Sequence, residues 1–380
     1  MTENSSLKTQ NSRLLSLDVM RGATIAAMTL VNNPGDWGHI YAPLEHSEWN
    51  GCTPTDLIFP FFLFMVGVST VFAMETKKTD PKNHGKMILG ALRRMVTLIV
   101  ISWCIQLFYH HTPFIRSLTH LRFPGVLQRI ALVFFICSVL YIKCTQKTRD
   151  WFMAFALVGY YIIMTFIPVP DGHAANLNPE TNMGAWLDRL VFGTNHLWKA
   201  SKTWDPEGLL GTLPAIGTGL FGIRVGSWLK RPDRENSLKV TWLFVYGVAA
   251  VVVALIWDLF FPINKALWTS SFVLYAGGLA TITLAFTYWL IDVQGYKKYA
   301  WILVVFGMNA ITAFVLGDIL QGVVDFVPVT GSKASTWLYQ HGIAPYFTPY
   351  NASLVRAICY VILTWLPMVW LYKKKIYIKV

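Results

Sequence analysis

Residues 45–69, EHSEWNGCTPTDLIFPFFLFMVGVS, place proton-transfer chemistry at the edge of a long apolar run. His46 lies ahead of a Trp49-Asn50-Gly51 turn and of Asp56, and from Leu57 to Ala73 no residue carries a formal charge. Imidazole is the side chain most readily tuned to act as acid or base near neutral pH. A carboxylate at the start of a run long enough to cross a bilayer is a natural neighbour for it. One loop histidine is nevertheless weak ground for catalysis, because such residues often do no more than face water.

Other ionisable groups fall inside apolar stretches, where they are costly and usually paired or functional. Asp18 and Arg21 are three residues apart, share a helical face and can neutralise each other. Arg129, after FPGVLQ, needs an anion, and Asp56 at a similar depth is the expected partner. Arg93, Arg94 and Arg224 cluster towards the other end of their stretches. The general bias of membrane proteins towards cytoplasmic cations accounts for them; phosphate recognition is the sharper reading. Asn32, Asn33, Gln128 and Asn309 are amides near helix ends, able to bond a ligand or a neighbouring helix. The five cysteines form no C-x-x-C pair, so neither a disulfide framework nor a metal site is expected. Walker A, dinucleotide-fingerprint, G-x-S-x-G and H-E-x-x-H motifs are missing, which argues against ATP hydrolysis, serine hydrolase and thermolysin-like zinc chemistry.

The elements that must position these groups follow from composition. Of 380 residues 54% are hydrophobic and 14% charged, against about 25% charged in soluble chains. Mean hydropathy is +0.45. An all-α polytopic membrane protein is expected, one domain over 1–380, with about ten transmembrane helices. They lie near 14–33, 55–75, 87–109, 123–142, 151–169, 208–229, 239–260, 266–291, 299–320 and 351–372. Nineteen of the 32 Lys and Arg fall in segments on the side of the N-terminus and seven on the other. This predicts N-in and C-in topology, with 1–13 as a cytoplasmic tail. The His46 loop and loops 170–207 and 321–350 are then extracytoplasmic. The net charge of +12 is explained by a lipid bilayer rather than by nucleic acid. No cleavage pattern precedes the first helix, which is expected to be retained. Trp-rich outer loops such as NHLWKASKTWDPEG serve as headgroup anchors or, less often, as stacking faces for sugars.

Together SLDVMRG (16–22), LVNN (30–33), EHSEWNGCTPTDLIFPFFLFMVG (45–67), FPGVLQRIALV (123–133), WDPEGLLGT (204–212) and FPINKALWTSSFVL (261–274) resemble the heparan-α-glucosaminide N-acetyltransferase family. The matches run in order along nearly the whole chain. The resemblance implies a transmembrane acetyltransferase that takes acetyl from cytosolic acetyl-CoA and passes it to a glucosamine amine across the membrane. The family's catalytic His falls on His46 and its active-site Asn on Asn32. Trp49, Asn50, Asp56, Arg129, Asp18 and Arg21 then form a supporting polar network, and Arg93, Arg94 and Arg224 are expected to hold CoA phosphates. His46 is expected to act as base in a ternary complex, because an acyl-imidazole in a polar outer loop would hydrolyse. The segment from Asn32 to His46 is longer than in the lysosomal enzyme and differs in residues, which leaves a free amino sugar and a cell-envelope glycan open as acceptors beside heparan sulphate. A bacterial cytoplasmic (inner) membrane is the expected location, and a homodimer is allowed. The alternative is an amino-sugar transporter using the same intramembrane charges for coupling.

Overall fold

The computed structural model describes residues 14–109, 118–329 and 331–378; the expected tail 1–13 lies outside them. Helices stand at all ten predicted positions. The first five are α1 (Leu15–Val31), α2 (Ile58–Lys78), α3 (His84–Tyr109), α4 (Val126–Lys143) and α5 (Gln146–Phe166). A short α6 (Met183–Phe192) sits within the 170–207 loop, followed by α7 (Thr212–Leu229), α8 (Asn236–Asp258) and α9 (Ser270–Tyr288). The chain then forms α10 (Ala300–Met308), α11 (Ala310–Phe326) and α12 (Pro349–Lys373). Among the described residues, paired strands are confined to a hairpin of Pro328–Val329 with Ser332–Lys333.

Six helical segments of the described residues are long and apolar enough to cross a membrane, or seven if α10 and α11 count as one span bent by 80°. The protein is therefore a mostly helical, multi-pass membrane protein. The helices outside that count are explained by their composition. α1 has 17 residues and includes Asp18 and Arg21, α5 opens on the polar QKTRD, and α7 is diluted by Gly217, Gly219, Gly222 and Gly226.

Those glycines are packing devices. A Cβ on Gly67 of α2 would collide with the carbonyl oxygen of Gly219, and one on Gly222 would meet that of Phe64. α1 and α10 approach in the same way, Gly22 against Leu303 O and Gly307 against Asp18 O. Small residues let helix backbones touch where lipid tails supply no hydrophobic drive to associate. The core built on these contacts includes Leu63, Phe64 and Val68 of α2, Ala215 and Leu220 of α7 and Phe272 and Val273 of α9. Conversely Val245, Val248, Val252 and Ile256 of α8 point outward, as expected of a face against acyl chains.

Candidate active site

The local fold of the His46 loop follows from its hydrogen-bonding residues. Pro54 opens a turn of 3₁₀ helix over Pro54–Leu57 that leads into α2. Asp56, at its third position, reaches back so that its Oδ2 accepts the Thr53 and Ser47 N–H groups at 3.0 and 3.1 Å. The Thr53 hydroxyl donates to the Glu45 carbonyl at 2.6 Å. This leaves Oδ1 for His46, whose Nδ1 lies 2.6 Å away. The His46 side chain is 51% exposed and that of Asp56 1%. A carboxylate that collects backbone N–H donors is an acceptor, so the shared proton belongs to Nδ1 and the lone pair to Nε2. The arrangement is an imidazole held in one tautomer by a buried anion.

The second wall comes from the segment between α8 and α9. The Gly51 N–H donates to Ile263 O at 2.7 Å, and Gly51 has the positive φ of 102° that glycine tolerates. Asn264 Nδ2 donates to Asn50 Oδ1 at 3.2 Å, while Asn264 Oδ1 accepts the Leu267 N–H at 2.8 Å. Trp268, almost fully buried, donates through its indole to Thr218 Oγ1 at 3.1 Å. So anchored, the segment delivers Lys265. Its Nζ is 3.3 Å from His46 Nδ1, 3.4 Å from Nε2 and 3.9 Å from Asp56 Oδ1. Burial pulls the Lys265 pKa below the ordinary lysine range, against the opposing pull of Glu207 and Asp56. Burial likewise pushes the nearby Cys52 thiol up to about 12, so it remains a thiol.

Aromatic rings border this end. Trp49 donates its indole N–H to Leu177 O at 3.0 Å and meets Trp204 edge-to-face at 5.1 Å. Trp204 in turn meets Trp198 at 5.6 Å.

Arg129 corrects one expectation. It does not pair with Asp56, whose oxygens are occupied by His46, Ser47 and Thr53. Its guanidinium donates to Pro206 O at 2.9 Å and Gly208 O at 2.8 Å, with its carbon 5.1 Å over the Trp268 ring. The carboxylates near it, Asp205, Glu207 and Asp188, come from the WDPEG turn and α6. Arg122 bonds Asp205 at 2.8 and 2.5 Å and Glu207 at 2.5 Å. Burial pushes Asp188 up to about 7. Sequence reading missed this cluster, although two acids flanking a proline in WDPEG were its signal.

A separate cavity of about 560 Å³ opens among α1, α2, α3, α4, α10 and α11, lined by Asp18, Arg21, Ser69, Arg94, Phe134 and others. Arg21 pairs with Asp18 at 3.3 Å, as expected from their spacing, and also bonds Gly307 O at 3.2 Å and Ser69 Oγ at 2.7 Å. Arg94 stacks over Phe134 at 4.5 Å, and its Nε is buried without a hydrogen-bond partner among the described residues. Arg93 is exposed and Arg224 pairs with Asp150 at 3.7 Å; neither lines the cavity. Asn309, at the α10–α11 break, holds Ile376 O at 3.0 Å and Ile378 N at 2.9 Å, which brings Tyr377 and Ile378 to the cavity wall.

A void of only about 10 Å³ continues towards the Asp56 end of α2. It shares Phe62, Ile130, Ala310 and Ile311 with the cavity and reaches Phe59. Ser69 and Asp56 are thirteen residues apart, about 20 Å of helical rise. Asn32 caps the C-terminus of α1 at this same end and is exposed. Among the described residues its side chain makes no hydrogen bond to His46 or Asp56. No group of three or more His, Cys, Asp or Glu able to hold a metal ion occurs among the described residues.

Comparison with known proteins agrees with this framework. The mouse heparan-alpha-glucosaminide N-acetyltransferase is 28% identical over 369 residues, covering 83% of this chain and 55% of that protein. The human protein of the same name is 27% identical over 365 residues, covering 83% and 54%. The chain thus spans about half the length of the curated relatives it matches. The family model described as heparan-alpha-glucosaminide N-acetyltransferase, catalytic, matches residues 13–255, which include α1 to α7, the His46–Asp56 pair and the cavity arginines. Since this match takes in well over half of the chain, the protein belongs to the heparan-alpha-glucosaminide N-acetyltransferase catalytic family.

Proposed function

We propose that this chain is a transmembrane N-acetyltransferase that moves acetyl from cytosolic acetyl-CoA to the amine of a glucosamine-type sugar on the opposite face. The observation that carries the reading is the His46–Asp56 pair, an exposed imidazole tied through Nδ1 to a buried carboxylate. A neutral amino-sugar amine must lose a proton as it attacks a thioester. A fixed Nε2 lone pair can take that proton, a contribution of about 10²- to 10⁴-fold. Arg94 and Arg21 face a cavity large enough for part of the donor and carry the charge its phosphates need. Asn32 is assigned to orienting the donor at the far end, and the Trp49–Trp204–Trp198 rings to the acceptor. With this function go ten crossings, both termini cytosolic, one domain over 1–380 and residence in a bacterial cytoplasmic membrane.

The test is direct. Purified protein mixed with acetyl-CoA and glucosamine is expected to release free thiol and N-acetylglucosamine in equal amounts. His46→Ala is expected to lower turnover by about 10²- to 10⁴-fold while acetyl-CoA still binds. No thiol release with glucosamine or glucosamine-terminated oligosaccharides would overturn the reading. Stoichiometric acetyl-His46 formed with acetyl-CoA alone would replace the ternary route by a ping-pong one. A second reading, an amino-sugar transporter, is favoured by the 80° break at Asn309, since transporters bind substrate at discontinuous helices. Amino-sugar uptake into vesicles without acetyl-CoA would support it.

A further inference from the structure

We infer that Lys265 is a catalytic residue of the acetyl transfer, an ammonium that holds the negative charge developing on the thioester oxygen; this rests on the acetyltransferase reading above. The residue came 219 positions after His46 in sequence, yet its Nζ lies 3.3 and 3.4 Å from the two imidazole nitrogens. Nδ1 is committed to Asp56, so the chemistry belongs to Nε2, and Lys265 is the cation beside it. An acceptor nitrogen hydrogen-bonded to Nε2 would place an attacked carbonyl within reach of the same Nζ.

The backbone is built to keep the lysine there. Asn264 is locked between Asn50 and Leu267, and Trp268 is buried with φ of 57°, a left-handed conformation unusual for a bulky side chain. Among the described residues Asn32, the amide the sequence suggested for this charge, makes no side-chain hydrogen bond to the imidazole.

The step balances as follows. The acceptor amine lone pair forms the N–C bond to the acetyl carbon, and the carbonyl π pair moves to oxygen, where Lys265 holds it. The amine proton passes to His46 Nε2. The oxygen pair then re-forms the carbonyl as the C–S bond breaks, and CoA leaves as a thiolate that takes its proton from the His46 imidazolium. Lys265 exchanges no proton and emerges as it began.

This role requires Lys265 to be protonated. The groups facing it are His46, Asp56, Glu207, Cys52 and Arg129. Burial moves its pKa down, and Glu207 and Asp56 partly restore it. Activity should therefore fall on the alkaline side at a lower pH than an ordinary lysine would give. Cys52, raised to about 12, does not supply that limb.

The experiment compares wild type, Lys265→Met and Lys265→Arg in detergent, with acetyl-CoA and glucosamine, by thiol release across pH 5 to 10. Lys265→Met is expected to lose about 10²- to 10³-fold in kcat, the usual cost of one oxyanion donor. KM for both substrates should change little. Lys265→Arg is expected to keep more activity than Met and to shift the alkaline limb upward, because a guanidinium does not deprotonate there. A Lys265→Met enzyme within threefold of wild type would overturn the proposal. So would an Arg variant whose alkaline limb stays where wild type has it, a readout that survives if the Met variant fails to fold. Wild-type protein inactive on every glucosamine acceptor would instead overturn the acetyltransferase reading itself.

Discussion

Replacing Asp56 by Asn isolates what the buried carboxylate does for His46. The two side chains are nearly the same size, and Asn can keep its oxygen on the Ser47 and Thr53 N–H groups, which lie at 3.1 and 3.0 Å. Its NH₂ must then face His46 Nδ1, where a carboxylate oxygen now sits at 2.6 Å. A donor facing Nδ1 requires the imidazole to carry its proton on Nε2, so the lone pair turns away from the acceptor. The base is present but in the wrong tautomer. The loss should therefore approach the whole contribution of a general base, about 10²- to 10⁴-fold in kcat, with little change in donor affinity. The assay is thiol release at saturating substrates, with acetyl-CoA binding measured separately. His46→Ala in the Asp56→Asn background should add little, because the two act as one unit. Near-normal turnover of Asp56→Asn would refute the tautomer argument, and additive losses in the double variant would refute the coupling.

Further outcomes are expected elsewhere. Arg94→Ala should weaken acetyl-CoA binding about tenfold or more while leaving acceptor KM unchanged, on the scale of one charge-assisted hydrogen bond; titration at low and high salt checks it, and unchanged donor affinity would remove Arg94 from the donor site. Gly67→Ala should destabilise by about 1–3 kcal/mol through the clash with Gly219 O. Gly85→Ala, which meets nothing within 4 Å, serves as the control in the same thermal melts. Asp188, raised to about 7 by burial, contributes stability that is complete below the unfolded carboxyl pKa and is lost as pH rises towards and through 7. Asp188→Asn should abolish that loss, so its melting temperature relative to wild type should rise between pH 5 and pH 8.

What the sequence disclosed was what local rules encode. Long uncharged runs located helices at ten positions, because apolar length is a property of contiguous residues. The Asp18–Arg21 pair followed from helical spacing alone. His46 and Asp56 were legible as neighbours because a single loop joins them. Arg129 was assigned the wrong anion because Asp56 lay at a similar depth, and only the three-dimensional structure shows that Asp56 is already saturated. Lys265 stood in plain view within FPINKALW, but no spacing rule links residues 219 apart. The pairing of Gly67 with Gly219 is likewise a contact between helices, invisible within either one.

The waist between the cavity and the His46 end has an electrical consequence. Its lining, Phe59, Phe62, Leu127, Ile130, Ile311 and Phe314 among others, includes no charged side chain, and its void is only about 10 Å³. Where water is continuous up to a thin dry layer from both sides, most of the membrane voltage falls across that layer. A unit charge crossing the waist would gain or lose about 2.3 kcal/mol per 100 mV. A neutral acetyl group would feel none of it. Under the proposed transfer, phosphates held beside Arg94 and an ammonium at Lys265 would stay on their own sides of the drop, so a transfer confined to the acyl group would proceed at the same rate in an energised membrane as in a discharged one.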